Sequence, residues 1–208
     1  MSTTRRAPGR PAGFDRSDAL DALLGLFWLR GYNGATQEAM RASTGLSSSS
    51  LFRTFGTKVE TFDAVLHRYL ELSDGMLGPL ERGMAGAADL HALLDRLDHQ
   101  LSSAHGTAGC LVVAIVQDPV NQDPRVAALT DRHLARMRDS IGAAVLRAHE
   151  CGEQLPATPE QFAHVVYAAM LGMLVSARSG DVATTRSMID GMRALLPAQG
   201  TGDHVRSA

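Results

Sequence analysis

The chain has 208 residues, of which 45% are hydrophobic and 20% charged, a composition typical of a globular protein with one or two domains. Its net charge of −2 is unevenly distributed. Residues 1–58 are basic, with eight basic and four acidic residues, and residues 59–208 are acidic, with twelve basic and eighteen acidic residues. The longest apolar runs, 110–116 and 165–175, are far shorter than the roughly 20 residues of a membrane span, and no apolar segment follows the N-terminal arginines. We therefore expect no membrane association and no signal peptide, and the two cysteines predict a cytoplasmic protein with reduced thiols.

Helical periodicity extends through almost the whole chain, and no segment alternates as a strand does, which predicts an all-α protein. Residues 1–14, rich in Arg, Gly and Pro, are predicted to form a mobile basic arm. The first helix starts at Asp15 or Ser17, and Gly31 stands where a left-handed C-cap is expected. Its apolar stripe consists of Leu20, Leu23, Leu24, Phe27 and Trp28.

Two short helices around a tight turn follow. Thr36 is the predicted N-cap of the first, 37–44, and Gly45-Leu46-Ser47 forms the turn before the second, which ends near Phe55-Gly56. The residues spaced to be buried against the first helix are Met40, Leu46, Leu51 and Phe55; those left facing outward are Ser48, Ser49, Ser50 and Arg53. A short polar helix on an apolar support is typical of a helix-turn-helix reader of the DNA major groove. From spacing alone, an αα-hairpin that binds nothing remains an alternative.

The remaining elements are also predicted to be helices. Thr57 and Glu60 form a capping box that opens a fourth helix, which we expect to end near Leu77, before the chain is loosened by several glycines and Pro79. Further helices are predicted at 88–104, within 110–116, and from about 124 to 151, 159 to 179 and 182 to 196. The polar segment 198–208 is predicted to be a disordered tail.

Residues 9–71 contain, in one order, Ala22, Phe27, Gly31-Tyr32, Thr36, Gly45-Leu46-Ser47, Leu51-Phe52, Phe55-Gly56, Lys58 and Phe62. At these positions the segment resembles the N-terminal DNA-binding domain of TetR-family transcriptional regulators. The rest of the chain resembles the family's C-terminal domain in length, in helical pattern and in Gly109-Cys110-Leu111 at the entry to a mid-chain helix. The resemblance implies a helix-turn-helix DNA-binding domain at 15–60 and a helical ligand-binding and dimerisation domain at 61–197.

The resemblance also implies which residues bind double-stranded DNA. The candidates are Thr36, Ser47, Ser48, Ser49, Ser50, Arg53 and Lys58. Serine specifies bases poorly, so we expect base reading from Arg53 through a bidentate bond to guanine, with a phosphate contact as the equal alternative. Phe52 stands where the family usually has a tyrosine whose hydroxyl meets a phosphate, so that hydrogen bond should be missing here.

In such proteins the C-terminal helices enclose a small-molecule effector, and the last two long helices, about 158–196 here, pair with those of a second subunit in a homodimer. The candidate pocket residues are Leu97, Leu101, Val113, Gln117, His133, Met137, Tyr167 and Met170. Ordinary core packing remains an alternative for each of them. Cys110 is most simply a buried small apolar side chain, and a redox role with Cys151 remains open.

The sequence contains no triad, phosphate-binding loop or metal-ligand spacing, so we expect no enzyme, no catalytic or metal-binding residues and no cofactor. The leading hypothesis is a ligand-responsive transcriptional repressor. It would bind a palindromic operator as a homodimer and be released by a small molecule. One alternative is an all-helical small-molecule binding protein or enzyme that keeps a non-binding hairpin. Another is a protein–protein adaptor.

Overall fold

The computed structural model describes residues 15–103 and 106–198, and every regular element within these ranges is helical. The predicted arm, 1–14, and almost all of the predicted tail lie outside the described residues. The α-helices are α1 (Arg16–Gly34), α2 (Gln37–Thr44), α3 (Ser48–Phe55), α4 (Lys58–Arg82), α5 (Ala87–Leu101), α6 (Leu111–Ile115), α7 (Pro124–Glu150), α8 (Pro159–Arg178) and α9 (Val182–Leu195). None of the described helices is long and apolar enough to cross a membrane.

The predicted helix-turn-helix is confirmed, including its caps. The hydroxyl of Thr36 accepts a hydrogen bond from the backbone N–H of Ala39, as an N-cap does. Gly45 ends α2 in the left-handed conformation, with φ 69° and ψ 5°, which the sharp turn to α3 requires. The short buried helix predicted within 110–116 is present as α6.

Of two predicted helix ends, one is wrong. Gly31 has the expected positive φ of 68°, with ψ 178°, and interrupts the helical backbone inside α1, which continues as a further turn to Gly34. The fourth helix does not end near Leu77 but continues to Arg82 with Pro79 inside it. Leu77 and Leu80 are almost fully buried in the body, and this packing offsets the backbone hydrogen bond that proline cannot make.

The interior consists of two apolar clusters joined by α4 and α7. The first cluster combines α1, α2, α3 and the first half of α4 with α6 and the start of α7. The second combines the end of α4 with α5, α7, α8 and α9. The helix-turn-helix is therefore packed against the body, and α4 and α7 both contribute to the two clusters.

Candidate nucleic-acid interface and effector cavity

The N-terminus of α3 is held by a group of serine hydroxyls. Ser47 is the N-cap, and its hydroxyl oxygen accepts from the backbone N–H of Ser50 at 3.2 Å. The same oxygen lies 3.0 Å from the hydroxyls of Ser49 and Ser50. These contacts fix the start of α3 without burying it, since Ser47 and Ser49 are exposed.

The inner side of α3 rests on an aromatic support. Leu51 and Phe55 are buried in the cluster that contains α1. In that cluster the ring of Phe62 lies 5.0 Å from that of Phe27 and 5.1 Å from that of Tyr32, centroid to centroid. Because this side of the helix is occupied by the core, only its opposite face is available to a partner.

The outward face of α3 carries the predicted polar residues. Ser49 and Arg53 are exposed, and Ser48 and Ser50 are half-buried. Among the residues that the structure describes, none pairs with the Arg53 guanidinium. Phe52, with 65% of its surface exposed, is the largest apolar group on this face.

Lys58 lies at the start of α4, beside the outward face of α3. Its ammonium group stands 4.5 Å from the centre of the Tyr32 ring, in a cation–π contact. Partial burial lowers the pKa of Lys58, and the negative charge of Asp118 opposes that shift. To reach a phosphate, the flexible side chain would have to leave this ring.

Sequence reasoning missed two further candidates on α2. Gln37 lines a groove together with Ser48, Phe52 and Lys58. Arg41 lines an adjoining groove with Ser47. Both are exposed and stand four residues apart on one helix face, a spacing that would have identified them from the sequence.

A cavity of about 250 Å³ lies in the body, between the two apolar clusters. Its wall contains side chains from α1, α4, α5, α7 and α8, and three of them are methionines: Met76, Met137 and Met170. A more open groove adjoins it along α6 and α8 and includes Cys110, Leu174 and Arg178. Cys110 and Leu174 line both spaces.

The candidate pocket residues divide among three places. Leu97, His133, Met137 and Met170 line the cavity. Val113 and Gln117 line the open groove. Leu101 and Tyr167 line neither space: Leu101 is buried in the second apolar cluster, and Tyr167 packs at its edge. Helical periodicity identified the apolar side of each helix, but it did not say which neighbour that side meets.

One corner of the cavity is polar. The Cys110 sulfur lies 3.9 Å from Nε2 of His133, and Tyr69 lines the same wall. Burial raises the pKa of Cys110 and holds the pKa of Tyr69 well above its usual range. Burial and, secondarily, the charge of Arg136 lower the pKa of His133 to about 4. At neutral pH this corner therefore consists of an uncharged imidazole, thiol and phenol.

The lowered pKa of His133 predicts a pH-dependent stability. The unfolded chain takes up a proton on this histidine near pH 6.5, whereas the folded chain does so only near pH 4. The free energy of unfolding should therefore fall as the pH drops through this window, by about 2 kcal/mol at pH 5 for this one group. In His133→Gln that contribution should vanish. Urea unfolding at pH 7.5 and pH 5 measures the difference, and equal pH dependence in both proteins would refute it.

A hydrogen-bonded link joins α1 to the body beside the cavity. The Trp28 indole N–H donates to the carbonyl of Gly109 at 2.9 Å. The Arg178 guanidinium donates to the carbonyls of Trp28 at 3.0 Å and Ala108 at 2.9 Å. Gly109 has φ 61°, and a Cβ there would lie 2.5 Å from the Leu174 carbonyl oxygen, so only glycine permits this close approach.

The last two long helices each leave a face of apolar and small residues exposed. On α8 the face includes Val165, Ala168 and Val175, with Val165 49% and Val175 58% exposed. On α9 it includes Ser187, Gly191 and Leu195, the last 50% exposed. Exposed apolar rows of this kind are typical of association surfaces.

Residues 86–192 match the family described as "Tetracyclin repressor-like, C-terminal domain". This match covers just over half of the chain and most of the body that contains the cavity. The chain belongs to the TetR family of regulators. The resemblance carried by residues 9–71 is thereby confirmed, and so is the fold expected from it: an N-terminal helix-turn-helix domain followed by a C-terminal helical domain.

Curated relatives cover both parts of this TetR-family chain. The uncharacterized HTH-type transcriptional regulator YezE of Bacillus subtilis is 25% identical over 148 residues, 70% of this chain and 75% of the relative. The HTH-type transcriptional repressor ComR of Escherichia coli is 37% identical over 67 residues, 32% of each chain. The HTH-type transcriptional repressor BdcR of Escherichia coli is 24% identical over 176 residues, 84% of this chain and 85% of the relative.

Solved structures share the fold. A TetR-family regulator from Agrobacterium tumefaciens superposes with a TM-score of 0.77 at 19% identity, over 88% of this chain and 97% of the other. A cysteine-substituted form of the TetR-family regulator CifR, complexed with 26-base-pair double-strand operator DNA, superposes with a TM-score of 0.75 at 22% identity. That match covers 91% of this chain and all of the other.

Proposed function

We propose that this protein is a transcriptional repressor that binds a palindromic operator as a homodimer and is released by a small-molecule effector. The observation that carries the proposal is that one face of α3 is apolar and the opposite face is polar. One side is buried in an aromatic core, and the other presents serines and an arginine that pairs with none of the described residues. A major groove admits one such helix, and its small side chains let the backbone approach base edges.

We assign contacts with DNA to seven residues predicted from the sequence and to two more that lie on the same surface in the structure. The seven are Thr36, Ser47, Ser48, Ser49, Ser50, Arg53 and Lys58; the two are Gln37 and Arg41. Thr36 and Ser47 cap helices with their hydroxyls, so their role is to orient free backbone N–H groups toward phosphate. CifR, whose structure contains operator DNA, supports duplex DNA as the partner.

A second copy of this chain is the partner we assign to the exposed faces of α8 and α9. A palindromic operator needs two reading helices about 34–36 Å apart, and a two-fold dimer supplies them. The small residues Ala168 and Gly191 allow helices to approach closely, and Val165, Val175 and Leu195 supply the apolar area. In an isologous interface the same surface is used on both subunits.

Release by an effector is supported by the position of the cavity. Its wall includes Tyr69, Ser73 and Met76 of α4, and α4 starts directly after α3. Trp28, on the same wall, belongs to the helix that supports α3. A molecule that binds the cavity more tightly when α4 is shifted would favour a conformation in which the two α3 helices lose their operator spacing. The effector acts only through the difference between its affinities for the two conformations.

A regulator is favoured over an enzyme or an adaptor. The curated relatives described above are named as transcriptional regulators or repressors. Selection of bound DNA from a random duplex pool tests the proposal directly. We expect an enriched inverted repeat, bound by a dimer in sedimentation. A pool without enriched sequence, or binding by single protomers, would contradict it.

Two substitutions separate base reading from phosphate binding. Arg53→Ala should relax the base preference at one position of each half-site, at a cost of about 1–3 kcal/mol per bidentate contact. Lys58→Ala should weaken all sequences alike and reduce the salt slope of log K by about one. Titrations of selected and random duplexes over several salt concentrations measure both effects. Identical behaviour of the two variants would refute the assignment.

A further inference from the structure

We infer that the cavity binds an uncharged, mainly apolar molecule of about ten non-hydrogen atoms, whose single polar group hydrogen-bonds to His133. This names the effector class of the proposed function and therefore rests on it. The size follows from comparison with a cavity of about 150 Å³ that accommodates benzene.

The wall of the cavity excludes a charged ligand. No Asp, Glu, Lys or Arg is among the described residues that line it. A charged group placed there would lose its hydration without gaining a counter-ion, and that loss outweighs the apolar contacts. The methionine side chains are polarisable and unbranched, so they adapt to an apolar body of variable shape.

The two cations whose charges act on the polar corner are already occupied. Arg136, whose charge acts on His133, is paired with Glu81 at 2.6 Å and with Asp74. Arg178, whose charge acts on Cys110, donates to two backbone carbonyls and lines the neighbouring groove. Neither is free to neutralise an anion inside the cavity.

The polar corner provides a directional contact. Ser73 and Gln100 also line the cavity, and the Ser73 hydroxyl already donates to the Leu70 carbonyl. His133 is 5% exposed, it lines the cavity wall, and its Nε2 lies 3.9 Å from the Cys110 sulfur. A neutral imidazole donates at one nitrogen and accepts at the other, so it suits an alcohol or a carbonyl. A ligand of this class buries its chain among Leu97, Met137 and Met170 and directs its polar group toward His133.

The single tryptophan of the chain, Trp28, lies on the cavity wall and reports binding through its fluorescence. The probes are 1-octanol, octanoate and octylammonium at pH 8, which differ in their head groups alone. We expect saturable binding of 1-octanol and at least roughly hundredfold weaker binding of both ions. His133→Leu should weaken 1-octanol about five- to tenfold, the cost of one hydrogen bond. Leu97→Phe, which fills the cavity, should weaken it at least about tenfold.

Gln117→Ala is the matched control, because Gln117 lines the open groove and not the cavity. It should bind 1-octanol as the natural chain does. Any one of three results would overturn the inference. These are an affinity for either ion within threefold of that for 1-octanol, no saturable binding of 1-octanol by fluorescence or calorimetry, and equal losses of affinity in Gln117→Ala and His133→Leu. Operator binding is measured separately. A chain that binds its operator but prefers octanoate overturns only the effector class, whereas one that binds 1-octanol and no DNA sequence overturns the regulator function.

Discussion

Val175→Asp is expected to convert the proposed dimer into monomers and to weaken operator binding by roughly a hundredfold or more. Val175 is 58% exposed, on the face of α8 that we assign to the second copy. In a two-fold interface one substitution introduces two carboxylates, each buried without a partner, and an unpaired buried charge costs about 3–5 kcal/mol. Sedimentation gives the oligomeric state, and fluorescence anisotropy with the selected operator gives the affinity.

Met84→Asp is the matched control for that experiment. Met84 is 83% exposed in the connection between α4 and α5 and does not belong to the α8 and α9 faces. The same apolar-to-acidic change should leave both the dimer and the operator affinity intact. A Val175→Asp protein that remains dimeric would place the interface elsewhere.

Phe62→Ala is expected to destabilise the fold by about 3–5 kcal/mol. Phe62 is fully buried where α4 meets α1, in contact with the rings of Phe27 and Tyr32. The loss is a large part of the 5–15 kcal/mol that stabilises a typical domain. Because this cluster supports α3, operator binding should be lost at temperatures where the rest of the body is still folded. Urea unfolding, followed by circular dichroism, measures the change in free energy.

Phe52→Ala provides the control with the same chemical change. Phe52 is 65% exposed on α3 and supports no part of the core. Its truncation should change the free energy of unfolding by less than about 0.5 kcal/mol. Equal destabilisation by the two substitutions would contradict the assignment of Phe62 as the support of the reading helix.

Local signals in the sequence predicted the helix-turn-helix closely. Thr36, Gly45 and Ser47 are read correctly because a cap or a left-handed turn depends on bonds within four residues. The end of α4 could not be predicted in this way. Local preference ends a helix before Pro79, but burial of Leu80 against the body extends it, and that burial depends on residues far along the chain.

In the candidate sites, too, some features could be predicted from the sequence and others required the tertiary structure. Alternation of apolar and polar residues placed Ser49 and Arg53 outside and Leu51 inside, since one helix face decides both. The cavity required the tertiary structure, because its wall combines side chains from five helices.

The sequence by itself determined the all-helical class, the caps and turn of the DNA-reading hairpin, and the outward position of its serines, because these depend on short-range bonds and on helical periodicity. Only the tertiary structure decided which apolar residues line the cavity, that Trp28 and Arg178 connect α1 to the body, and that His133 is held neutral. These properties arise from contacts between residues up to 150 positions apart, and periodicity along one helix contains no information about them.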